Sequence, residues 1–175
     1  MAARLHAILT SRTLPSIEPL TEIRMLNKAA PEFTLPATGD KEISLATLRG
    51  TKVVLYFYPK DSTPGCTTES QDFRDRHAQF VAAGCTVLGV SRDGLRSHEN
   101  FKSKQELPFD LLSDPDETVC ELFGVMKLKN MYGKQVRGIE RSTFVIDGEG
   151  VVRGEWRRVK VPGHVDEVLE LVQSI

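Results

Sequence analysis

Val53-Val54-Leu55-Tyr56-Phe57-Tyr58 is an unbroken apolar and aromatic run bounded by Lys52 and Pro59, as expected of a strand covered on both faces of a sheet. After a loop, Pro59 to Gly65, the segment Cys66 to Ala83 contains neither glycine nor proline and sets Phe73, His77, Phe80 and Val81 on one stripe at helical spacing. Gly84 stops that helix, and Cys85-Thr86-Val87-Leu88-Gly89-Val90 supplies a second buried strand. Strand, helix and strand in this order call for a right-handed crossover, so the sheet is at least partly parallel.

Upstream, Phe33-Thr34-Leu35, a Gly39-Asp40 turn and Ile43-Ser44-Leu45 read as a short hairpin. Downstream, Ser97 to Gln105 reads as a helix and Phe109 to Leu112 as a short strand. Asp114-Pro115-Asp116-Glu117 carries a helix-start signature, with Asp114 as cap, Pro115 first and Glu117 as reciprocal partner of a helix running through Phe123. Its acidic spacing does not suit a calcium loop. Thr143 to Asp147, the Gly148-Glu149-Gly150 turn and Val151 to Trp156 form an antiparallel hairpin, and a last helix buries Val165, Val168, Leu169 and Val172. The sum is an α/β fold of the thioredoxin-like sandwich type, a mixed central β-sheet with helices on both faces.

Composition narrows the function classes. The chain has 175 residues, with 23 Lys plus Arg against 24 Asp plus Glu and 40% hydrophobic residues, which suits one globular domain. A formal net charge of −1 with scattered basic residues argues against nucleic-acid binding. No apolar run approaches the roughly 20 residues that span a bilayer, so no membrane protein is expected. Residues 1–24, with Arg4, Arg12 and Arg24 against Glu18 and Glu22 and with Pro15 and Pro19, read as an extension to a domain over 25–175. A flexible tail or an upstream start is preferred there to an organelle-targeting leader. Cys66, Cys85 and Cys120 are too few and too spread for a disulfide scaffold, which fits a reducing, cytoplasmic setting. With no CxxC and with His6, His77, His98 and His164 far apart, neither a metal nor a cofactor is expected.

The chemistry concentrates in Phe57-Tyr58-Pro59-Lys60-Asp61-Ser62-Thr63-Pro64-Gly65-Cys66-Thr67, which delivers a cysteine to the first turn of a helix directly after a buried strand. Open backbone N–H groups and the positive end of the helix dipole favour thiolate there. Thr63 lies where its hydroxyl could bond the sulfur or a bound oxygen, or cap the helix. Pro64 stiffens the loop and can shield the sulfur, and Tyr58 suits a pocket wall better than a proton donor.

Thr63-Pro64-Gly65-Cys66-Thr67 together with Arg141-Ser142-Thr143-Phe144 resembles the peroxiredoxins. Phe57 to Asp61, Ser113 to Asp116, Phe123-Gly124-Val125 and Gly138 to Phe144 are similar to the peroxiredoxin Q, or bacterioferritin comigratory protein, branch over about Leu26 to Ile175. The resemblance implies that Cys66 is the peroxidatic cysteine, attacking a hydroperoxide and becoming a sulfenic acid. It implies further that Arg141 donates to sulfur and peroxide, that Thr63 supplies a hydroxyl, and that Pro59, Pro64 and Tyr58 line the substrate pocket. Arg141 has a plainer alternative, a solvated charge at a strand end. Thioredoxin, glutaredoxin or glutathione would recycle the sulfur, and the protein would be a monomer or weak homodimer.

One departure from the branch stands out. Many relatives carry a resolving cysteine five residues after the peroxidatic one, where this chain has Gln71, and others carry it about one helix later, near Lys102. Cys120 and Cys85 remain as possible resolving partners, but each sits in an apolar segment where a thiol is usually inert. The expectation is one-cysteine chemistry with an external thiol. A thiol-disulfide oxidoreductase is disfavoured because Glu69 occupies the second position of a CxxC; a peroxide sensor on the same fold is the other alternative.

Overall fold

A computed structural model describes residues 22–175. Of the extension expected over residues 1–24, positions 1–21 lie outside the described residues. Seven strands form the main sheet: β1 (Thr34–Ala37), β2 (Lys41–Ser44), β3 (Lys52–Phe57), β4 (Cys85–Ser91), β5 (Leu111–Ser113), β8 (Ser142–Ile146) and β9 (Val152–Arg157). Their spatial order is β2-β1-β5-β4-β3-β8-β9. β3 runs parallel to β4, and β4 to β5, while β8 joins β3 antiparallel, so the sheet is mixed. Five helices accompany it: α1 (Pro64–Asp75), α2 (His77–Ala82), α3 (Leu95–Gln105), α4 (Thr118–Leu122) and α5 (His164–Ser174).

The continuous apolar run of β3 has two buried faces because two cores share it. Val53, Leu55 and Phe57 point into one core with Phe33, Cys120, Phe123 and Phe144. Val54, Tyr56 and Tyr58 point into the other with Cys66, Phe73, Phe80, Phe101 and Val168. Strand alternation therefore sends α4 to one side and α1, α2, α3 and α5 to the other. Gly89 in β4 is small for a reason: a Cβ there would come within 2.8 Å of both the Tyr56 ring and Leu111.

Three local expectations need correction. The single helix over Cys66 to Ala83 is two helices broken at Arg76, whose guanidinium donates to the Asp72 carbonyl at 3.2 Å and binds Asp166 of α5. The side chain supplies at the break what the next helical N–H would have supplied, and Val81 turns out to be exposed rather than part of the buried stripe. The helix expected from Asp114 begins only at Thr118. Asp114 N–H is already donated to Ser91 O at 2.9 Å, and the Glu117 carboxylate goes to Arg92 and Arg137, so the reciprocal capping bond has no partners left. The Asp114 carboxylate still accepts from Cys120 N at 2.8 Å, reaching over the intervening turn. The strand expected at Phe109–Leu112 is shifted to Leu111–Ser113.

Sequence reading supplied no element between Phe123 and Gly138. The structure places a two-stranded hairpin there, β6 (Met126–Met131) and β7 (Lys134–Ile139), standing outside the main sheet with Tyr132 fully exposed at its tip.

Candidate active site

The register of β3 against β8 builds the site. Phe57 pairs with Ser142, which sets Arg141 beside Tyr58 at the same end of the sheet as the start of α1. Thr63 is the N-cap of α1 in extended conformation, Pro64 is its first residue, and Cys66 is its third. The first helical bond, Thr67 N–H to Thr63 O at 2.9 Å, leaves the N–H groups of Gly65 and Cys66 at the open, electropositive end.

Cys66 is only 1% exposed, and its Sγ accepts from Arg141 Nη2 at 3.4 Å. The other arm of the guanidinium, Nη1, lies 3.1 Å from Oε1 of the fully buried Glu69. Gly65 makes room for this reach, because a Cβ on it would lie 3.2 Å from Arg141 Nη2. Burial works against the charge of Arg141, but the facing Glu69 and Cys66 outweigh it and hold its pKa above the ordinary value. A fork that bonds carboxylate and sulfur at once is a task for arginine rather than lysine.

The sequence reading set Glu69 off the apolar stripe of its helix and noted it as a position without a second cysteine, whereas it is fully buried. It proves to be the anchor of the cation. Its Oε2 has no hydrogen-bond partner among the described residues, and burial, partly offset by Arg141, raises its pKa to about 7. His164, within hydrogen-bond distance of Thr143 Oγ1 at 2.8 Å, moves the other way: burial and then the charge of Arg141 lower it to about 4.

These two groups give stability opposite dependences on pH. The fold keeps a proton on Glu69 that the unfolded chain loses between about pH 4.5 and 7, so its share of stability falls as pH rises through that window. The unfolded chain protonates His164 between about pH 4 and 6.5 where the fold does not, so its share rises with pH. Urea unfolding of Glu69→Gln beside the parent should show the gap moving in favour of the variant as pH climbs from 4.5 to 7. A gap that stays constant would mean that Glu69 ionises as freely in the fold as out of it.

The remaining expected residues sort as follows. The Thr63 hydroxyl donates to Lys60 O at 2.8 Å, so its proton serves the loop and not the sulfur, and its oxygen accepts no capping bond from a helix N–H. Pro64 is exposed and, with Gly65, Thr68, Asp72, Val161 and Pro162, lines a cleft of about 480 Å³ beside the Cys66 turn. Pro59 is half-buried in the same loop. Tyr58 is fully buried, with its hydroxyl given to Asp61 at 2.6 Å. Asp61, Asp93 and His98, which no sequence spacing grouped, come together with donor atoms within 4.8 Å of one another.

Cys85 and Cys120 are set apart from Cys66. Cys120 belongs to the core on the opposite face of the sheet. Cys85 pairs with Lys52, five residues down β3 from Phe57, which at strand rise is roughly 17 Å from the active end. Burial pushes the Cys85 thiol up to about 12, and burial with the Asp114 carboxylate pushes Cys120 up further still. All three cysteines are free thiols. Where relatives are expected to carry a partner cysteine, Gln71 donates to Gln105 at 2.8 Å and Lys102 binds Asp110 at 2.9 Å.

Known proteins are similar to this chain in sequence and fold. Residues 26–155 match the AhpC/TSA family. A putative peroxiredoxin bcp of Coxiella burnetii is 55% identical over 144 residues, covering 82% of this chain and 95% of that protein. Peroxiredoxin Bcp of Xanthomonas campestris is 51% identical over 152 residues, covering 86% and 95%. The solved structure of Xanthomonas campestris peroxiredoxin Q superposes with a TM-score of 0.78 at 52% identity, covering 81% of this chain and 90% of that one. A further structure of the Xanthomonas campestris bacterioferritin comigratory protein, 51% identical with a TM-score of 0.78 and covering 81% of this chain and 90% of that one, is described in terms of its alkyl peroxide reduction activity. With a thioredoxin-like mixed sheet, a cysteine at a helix start and an arginine on its sulfur, the chain belongs to the AhpC/TSA family, in the peroxiredoxin Q branch, and is a thiol peroxidase.

Proposed function

We propose that Cys66 is the peroxidatic sulfur and that it works through a one-cysteine cycle on hydrogen peroxide and alkyl hydroperoxides. The single observation that carries this is the Arg141 guanidinium on Cys66 Sγ at the open end of α1. Thiolate attacks one peroxide oxygen, an S–O bond forms as the O–O bond breaks, and the departing oxygen leaves as water or alcohol with a proton from solvent. Arg141 and the helix N–H groups also stabilise charge on the departing oxygen. The pocket cleft beside Pro64 offers room for the organic part of an alkyl hydroperoxide.

An external thiol then condenses with the sulfenic acid, releasing water, and a second thiol frees Cys66 as a thiol. Thioredoxin, glutaredoxin and glutathione all fit this role. The separation of Cys85 and Cys120 from Cys66 supports the external donor. No helix among the described residues is long and apolar enough to cross a membrane, and three free thiols with such a donor suit the cytoplasm. The working unit is residues 25–175, as a monomer or weak homodimer, with residues 1–24 as an extension.

Intact mass after about one equivalent of peroxide, rapid thiol blocking and peptide mapping test the cycle. A trapped sulfenic adduct on Cys66 alone is the expected product. Cys85→Ser and Cys120→Ser, singly and together, should consume peroxide within about twofold of the parent, since buried thiols of this kind are inert. A disulfide from Cys66 to either would replace the one-cysteine cycle with internal resolution.

A further inference from the structure

We infer that the buried pair His98 and Asp61 is a positioning device for the peroxidatic loop, a role that rests on Cys66 being the reacting sulfur. Asp61 lies in the loop between β3 and α1, and every polar atom of its side chain is engaged. Oδ1 accepts from Tyr58 Oη at 2.6 Å, and Oδ2 accepts from Ser97 Oγ at 2.8 Å and lies 2.7 Å from His98 Nδ1. His98 has no exposed surface, and its Nε2 lies 2.9 Å from the Leu112 carbonyl of β5.

A carbonyl can only accept, so Nε2 donates. Asp61 Oδ2 faces the other ring nitrogen, Nδ1. The ring is thus held at both nitrogens, by the Leu112 carbonyl and by Asp61. Burial is outweighed by the contacts from His98, Tyr58 and Ser97, which hold Asp61 below the usual carboxylate range.

A second tier fixes the loop backbone. Asp61 N–H donates to Asp93 Oδ2 at 2.9 Å, Ser91 Oγ donates to the same oxygen, and Ser113 Oγ donates to Asp93 O at 2.6 Å. The loop is thereby tied to the end of β4, to β5 and to α3. What it carries onward is short: Ser62, in the left-handed region at φ 62, then Thr63 as helix cap, and three residues later Cys66. A positive φ in a serine is strained, and the network on Asp61 next to it supplies the restraint. Displacing Asp61 would swing the first turn of α1 away from Arg141, which lies between β7 and β8 and would not follow. Misplacement of about 1 Å between reacting groups can cost a hundredfold in rate.

The test separates positioning from bulk stability by asking which bond of His98 matters. His98→Asn keeps a donor where Nδ1 faces Asp61 and loses Leu112; His98→Gln keeps the longer reach toward Leu112 and loses Asp61. In a Cys85→Ser, Cys120→Ser background, the second-order rate with hydrogen peroxide should fall tenfold or more in His98→Gln and stay within threefold in His98→Asn. Iodoacetamide alkylation of Cys66 should become faster in His98→Gln than in His98→Asn, as the loop opens, at a urea midpoint no lower than that of His98→Asn. Tyr58→Phe, which deletes one bond to Asp61 and keeps the ring, should slow the peroxide reaction about threefold. A parent-like rate in His98→Gln and Tyr58→Phe, or equal slowing in the Asn and Gln variants, would overturn the positioning role. Cys66→Ser in the same assay keeps the two readings apart: a fast Cys66→Ser overturns the site itself, whereas a fast His98→Gln beside an inactive Cys66→Ser overturns the positioning role alone.

Discussion

Cys66→Ser should lose peroxide reduction by a factor on the order of 10³ or more, the scale seen when a nucleophile is removed outright. The exchange keeps the volume and the hydrogen-bonding direction almost unchanged at a position that is 1% exposed, so unfolding is not the cause to expect. An alcohol at that site stays protonated and cannot do what a thiolate does. Peroxide consumption with excess dithiol measures it, and circular dichroism confirms the fold. Residual turnover within tenfold of the parent would mean that another sulfur reacts, with Cys85 and Cys120 as the only candidates in the chain.

Arg141→Met should cost about 10² to 10³ in the second-order rate with hydrogen peroxide, the range found for removing one preorganised donor to developing charge. Two interactions go together, the contact to Cys66 Sγ at 3.4 Å and the pair with Glu69 at 3.1 Å. Without its counter-charge, buried Glu69 would retain its proton to higher pH still, so the variant avoids a bare buried carboxylate near neutrality. Arg141→Lys should recover part of the loss, since the charge returns but one ammonium does not span sulfur and carboxylate at once. The rate of sulfenic acid formation, followed by trapping and mass spectrometry, decides this. A rate within threefold of the parent in Arg141→Met would make Arg141 a bystander.

Much of this molecule is legible in its sequence because its strongest signals are local. The β3 run, the glycine that ends α2 and the heptad-like spacing of Val165, Val168 and Val172 on α5 each declare a buried face within one element. What stayed hidden depends on partners far along the chain. The break at Arg76 is settled by Asp166 in α5, and the late start of α4 by Arg92 and Arg137, which draw Glu117 outward. The β6–β7 hairpin had a signal in Tyr132-Gly133 between two short stretches, but its strands are mostly exposed and so lack the apolar alternation that a half-buried strand shows. In the site, Cys66 and Arg141 were readable from motif and order. Glu69 could have been found too: three residues after Cys66 on one helix, it shares that face, and a carboxylate on a buried face calls for a cation. The Asp61 and His98 pair could not, since it joins a loop to a helix 37 residues away.

The two cores on either side of β3 carry a consequence for how the protein ages in use. In the proposed one-cysteine cycle, with Cys120 behind the sheet and Cys85 at its far end, the lifetime of the Cys66 sulfenic acid is set by the thiol supply around the protein. When peroxide outruns that supply, the uncapped sulfenic acid meets a second peroxide and passes to the sulfinic acid, which ordinary thiols do not reverse. The sheet that separates the sulfurs therefore makes each molecule's working life a count of turnovers under stress, longest where thiols are abundant and shortest when they are needed most.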